Sequence, residues 1–177
     1  MIPQYISRFG ATLTVCALLV ICTTASNSGQ TQNATNDQKE SHMPLHATGS
    51  FDVKMSPLNP DDTAPGSTLA SMTVDKQYHG DLEATSRGRI LTAVTEVKGS
   101  AAYVAIERIS GKLNGLTGTF VIQHSGTLDR GAQHQSVTVV PDSGTGQLAG
   151  ITGKMTGTIA PDGKHFYELE YALPQAK

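Results

Sequence analysis

A chain of 177 residues with a formal net charge of -2 makes one ordinary domain and has no basic footprint for nucleic acid. Its 18 glycines, its lack of tryptophan and an aromatic content of 5% describe a turn-rich, lightly packed protein, not a helical bundle. Both cysteines, Cys16 and Cys22, sit in an N-terminal apolar segment. That excludes a disulfide framework, a thiolate nucleophile and a cysteine-ligated zinc from the domain that follows.

In chain order, Arg8 precedes an uncharged run from Phe9 to Cys22. At about 14 residues the run has the length of a signal-peptide core and falls short of the ~20 needed to span a bilayer. Thr23 and Ala25 place small residues where a signal peptidase reads them, so residues 1–25 are expected to be a signal peptide cleaved after Ala25. The expected location is periplasmic or secreted. The alternative is a lipid anchor at Cys22, the one route to a membrane, although Ile21 replaces the small residue that normally precedes a lipidated cysteine. Residues 26–46 are rich in Asn, Gln, Ser and Thr, bury too little to offset their ordering entropy, and are expected to form a flexible linker.

From residue 47 to 174 the chain alternates apolar and polar residues, punctuated by glycine and proline. Eight strands are expected, over 47–56, 68–78, 81–97, 100–112, 116–128, 133–141, 145–159 and 164–173. Turn chemistry separates them at Asn114-Gly115, Asp129-Arg130-Gly131, Pro141-Asp142-Ser143-Gly144 and Pro161-Asp162-Gly163. The proline-rich segment Pro57 to Gly66 is expected to be a long loop at one mouth. Short links between consecutive strands give an up-and-down meander, and eight such strands close into an antiparallel barrel that leaves no edge exposed. The pattern L-x-G-x-T-G-x-apolar occurs at Leu113–Phe120 and again at Leu148–Met155, which reads as glycine kinks at barrel corners.

Several strings in fixed order carry a family likeness: Tyr103-Val-Ala-Ile-Glu-Arg108, Gln123-His-Ser-Gly126, Pro141-Asp-Ser-Gly-Thr-Gly146 with Leu148-Ala-Gly150, and His165-Phe-Tyr167 with Tyr171. With Ala47–Phe51 and Asp75–Leu82 they make residues 47–174 resemble the bacterial domain-of-unknown-function family 3224. The resemblance implies an allene oxide cyclase-like barrel, a fold shared with dirigent proteins. It implies no established activity and no catalytic residue. The N-terminal leader departs from the family's bare-domain form.

Taking Asn114-Gly115 as the tip of a two-residue hairpin fixes a register in which paired residue numbers sum to 229. Tyr103, Ala105, Glu107 and Ile109 then share a face with Phe120, Ile122 and His124, and Glu107 and His124 become diagonal neighbours. Val104, Ile106 and Val121 make the opposite face no less apolar. In the last strand, Glu168 and Glu170 mark the outer face, so His165, Tyr167, Leu169 and Tyr171 should point inward. One reading makes Glu107 and His124 a catalytic acid–base pair in a lumen cyclase or isomerase, with Tyr103, His165, Tyr167 and Tyr171 contacting the ligand. A second is a pocket that binds a small, mostly apolar molecule without chemistry. A third is a scaffold or interaction module with a filled core, in which the pair is structural. No cofactor and no metal are expected, since His42 and His46, four apart, sit in or beside the linker and the other four histidines lack ligand spacing, and nothing in the sequence sets the oligomeric state.

Overall fold

The computed structural model describes residues 44–60 and 62–174. The expected signal peptide, with Cys22 and its cleavage site, and most of the expected linker lie outside the described residues. The alternating pattern becomes nine antiparallel strands: β1 (Leu45–Pro57), β2 (Asp62–Ala64), β3 (Ser67–Gly80), β4 (Leu82–Thr95), β5 (Ala101–Leu113), β6 (Leu116–Asp129), β7 (Ala132–Val139), β8 (Thr152–Ile159) and β9 (His165–Ala172). Among the described residues there is no α-helix, only a 3-10 turn at Gly146–Leu148.

Eight of these strands close into an up-and-down barrel. Consecutive strands from β3 to β9 pair as neighbours, and β1 closes the ring by pairing with both β9 and β3. Leu45–Phe51 lie against β9 and Gly49–Pro57 against β3, so the middle of β1 is hydrogen-bonded on both sides. Closure satisfies the backbone donors and acceptors that an open sheet would leave bare. One seam is thin. β7 and β8 share a single residue pair, Thr138 with Lys154. Farther along, the side chain of Gln135 bridges the two strands by donating from Nε2 to the Gly157 carbonyl at 3.3 Å.

The end where β3 turns into β4 and β5 into β6 is packed solid. Leu82, Leu113, Phe120 and Leu169 are wholly buried there with Ile151 and Ala47. Polar ties lock this end. Tyr167 Oη accepts the Leu82 amide at 2.8 Å and donates to the Thr48 carbonyl at 3.0 Å. Asn114 Nδ2 donates to Tyr171 Oη at 2.9 Å.

Two expectations are corrected. The seventh expected strand, 145–159, begins only at Thr152. Before it, Thr145 donates its amide to the Thr119 carbonyl at 2.8 Å, and the chain turns so that Leu148 and Ile151 plug the packed end. Burying two large apolar side chains outweighs continuing the ladder. The Pro57–Gly66 loop, in turn, contains the short β2, which pairs with Ser67–Leu69 across a Pro65-Gly66 turn. β1 pairs with β9 from its first residue, Leu45 opposite Tyr171.

Candidate functional site

Asn114 and Gly115 both have positive φ, 47° and 82°, as a type I′ turn requires. This two-residue tip sets the β5–β6 register with Ile109 opposite Phe120, Glu107 opposite Ile122 and Ala105 opposite His124. Glu107 and His124 therefore lie diagonally on one face. That face is the interior: Ala105, Glu107, Ile109, Phe120 and Ile122 are buried, whereas Val104 and Ile106 keep about half their surface, at 52% each.

Glu107 is the most enclosed charged group of the described residues, at 1% exposure. Lys76 of β3 donates to its Oε1 at 2.8 Å, and Ser86 of β4 donates to its Oε2 at 2.7 Å. His124 Nε2 approaches Oε1 to 3.1 Å, off the line that a well-directed hydrogen bond needs. Burial by itself would raise the Glu107 pKa. The His124 ring and the Lys76 ammonium outweigh it and hold the carboxyl at about 2. Glu107 thus stays ionised at neutral pH and is a poor proton donor or acceptor there. In an acid–base pair it could only orient His124 and balance its charge. Gly88 makes space for the carboxylate. It stands opposite Glu107 on β4, where a Cβ would come within 2.6 Å of Glu107 Cγ.

Above this cluster the lumen is unfilled. A cavity of about 360 Å³ opens toward the end of the barrel opposite the packed one. Val74, Ile90, Val137 and Met155 line its walls, while Met55 and Val94, 56% and 51% exposed, stand at its mouth. Its floor carries Lys76, Tyr78, Glu107 and His124, and Tyr103 and His165 border it. Phe51 packs against both Tyr78 and His165, with ring centroids 5.5 and 5.1 Å away. Burial first, then the negative charge of Glu107, raises the pKa of both Tyr78 and Tyr103. The Tyr103 ring lies across Gly126, where a Cβ would meet it at 2.2 Å.

Of the residues singled out in the sequence, the structure brings Glu107, His124, Tyr103 and His165 to one cavity. Tyr167 and Tyr171 also point inward but lie outside its lining, with their hydroxyls engaged by the hydrogen bonds of the packed end. Sequence reasoning missed Lys76, Tyr78 and Ser86. A signal existed for the first two, because Met72, Val74, Lys76 and Tyr78 alternate on one parity of β3, which places a lysine on an otherwise apolar inner face.

A family model described as a protein of unknown function, DUF3224, matches residues 47–171, most of the chain. The chain belongs to the DUF3224 family. A solved DUF3224 protein of unknown function from Shewanella oneidensis is 44% identical, covers 75% of this chain and 100% of its own length, and superposes with a TM-score of 0.71. No curated protein matches. Every member of the Lys76–Glu107–His124 cluster falls inside the DUF3224 match, and so does the cavity lining from Phe51 to His165.

Proposed function

We propose that this DUF3224 barrel is an exported protein that binds a small, mostly apolar molecule in its lumen. The observation that carries the reading is the unfilled apolar volume of about 360 Å³ above a polar floor. Barrels of eight strands are just wide enough for side chains to fill completely, and a scaffold would gain dispersion energy by filling its interior. Here large side chains fill one end only. A cavity of this size, walled by apolar groups and given a few converging polar ones, has the build of a ligand site. Export rests on the Phe9–Cys22 run and the Thr23–Ala25 boundary.

Native mass spectrometry of the full-length gene product, isolated from its own host, tests both parts. The expected result is a mature chain starting near Ser26, or at a lipidated Cys22, with a small molecule that is released on denaturation. A bare chain whose melting temperature no apolar compound raises would overturn the binding reading, and a retained Met1 would overturn export.

A further inference from the structure

The polar floor of the cavity narrows the kind of molecule it suits. Glu107 already receives Lys76, Ser86 and the close approach of His124, so the acceptor capacity of its carboxylate is largely taken. The donors are in surplus. Lys76 Nζ has Glu107 as its hydrogen-bond acceptor among the described residues, which leaves further ammonium protons uncommitted. Tyr78 is 1% exposed, and its hydroxyl has no hydrogen-bond partner among the described residues. Ser86 lies beside that hydroxyl but outside the alignment of a hydrogen bond with it, and turns its own proton to Glu107. A buried phenol without a partner is costly, and each such group calls for an explanation.

Charge at the floor is balanced. Lys76 and Glu107 cancel, so an anionic head would face an ionised carboxylate and a cationic head would compete with Lys76 for it. We propose that the lumen takes an apolar molecule ending in one neutral oxygen acceptor, a carbonyl above all, with the Tyr78 hydroxyl as its anchor. This rests on the lumen being a ligand site. At about 30 Å³ per heavy atom, the share of a water in the liquid, the cavity of about 360 Å³ holds on the order of a dozen heavy atoms. The body is thus the size of a medium-chain ketone, aldehyde or ester. His124 and Lys76 share the floor with the anchor, while the mouth beside Met55 and Val94 leaves the tail unselected.

Calorimetric titration of the full chain at pH 7 with 2-nonanone, nonanoate, nonylamine and nonane tests the assignment. The expected result is 2-nonanone binding at least tenfold tighter than nonanoate or nonylamine. Tyr78→Phe should lower the 2-nonanone affinity severalfold and leave nonane unchanged. This variant deletes only the unpartnered hydroxyl, and its fold is checked by circular dichroism. Nonanoate or nonylamine binding as tightly as the ketone would overturn the neutral-head assignment while leaving the lumen as an apolar site. An unchanged ketone-to-alkane ratio in Tyr78→Phe would overturn the anchor. Failure of all four compounds to bind would remove the ligand reading itself.

Discussion

At the turn end of the barrel, Leu82, Leu113, Phe120 and Leu148 are 1% exposed or less; at the opposite end, Met55 and Val94 keep more than half their surface. One end is closed by side chains, by the Leu148–Ile151 plug and by the Tyr167 and Asn114 hydrogen bonds. The other surrounds a cavity. The difference separates two tasks along one sheet. The packed end supplies the cohesion that holds the ring shut, so the mouth can stay unfilled without cost to closure. The Glu107 cluster lies between the two, belonging to the core by burial and to the cavity by contact.

The sharpest way to break that division is to truncate both ends. Phe120→Ala removes a wholly buried ring from the packed end and should cost about 3–5 kcal/mol in urea unfolding. Ile90→Ala, at a half-buried position already beside empty space, should cost about 1 kcal/mol, roughly half of what full burial of the side chain is worth. Equal losses would mean that the ends are not energetically distinct.

The intermediate position of Glu107 predicts a pH dependence. Its folded pKa of about 2 lies below the ordinary 4.5, so the stabilisation it gives is complete above pH 4.5 and is lost as pH falls toward 2. The shift corresponds to roughly 3 kcal/mol. Urea midpoints measured from pH 6 to pH 2 should fall steeply in the native protein. In Glu107→Gln the acid limb should be shallower, with stability at pH 6 already reduced by the loss of the Lys76 pair. An acid limb identical in the two proteins would sink the assignment of this acid-sensitive stability to Glu107.

The smallest effect belongs to the mouth. Gly126→Ala places a methyl where the Tyr103 ring lies, and the ring can swing into the cavity because its hydroxyl makes only a long 3.5 Å contact with Gln135. Stability should change by no more than about 1 kcal/mol, while the Tyr103 ring resonances shift clearly in NMR spectra. Unmoved resonances would show that the glycine does not seat the ring.

Much of the site was legible because part of it is local. Asn114-Gly115 admits a type I′ turn, a two-residue turn fixes the register, and register fixes parity, so Glu107 and His124 fall on one face by local rules alone. The same parity argument aimed His165 and Tyr167 inward. It could not say that His165 would reach the cavity while Tyr167 spent its hydroxyl on Leu82 and Thr48, because depth along a barrel depends on how its far strands stagger. Nor could the apolar–polar pattern choose between the faces of β5. Val104 and Ile106 are as apolar as their neighbours, and curvature alone left them outside.

By itself, then, the sequence determined the all-β class, the number of barrel strands, the hairpin tips and the pairing of Glu107 with His124, all of which follow from alternation and turn chemistry within a few tens of residues. Only the tertiary structure decided that Lys76, 31 positions before Glu107, would neutralise it, that residues 145–151 would leave the ladder to plug one end, and that the other end would stay open. The physical reason is that turns set register through the backbone conformations of two or three residues. Charge pairing and unfilled volume arise only when strands far apart in the chain are curled to face one another.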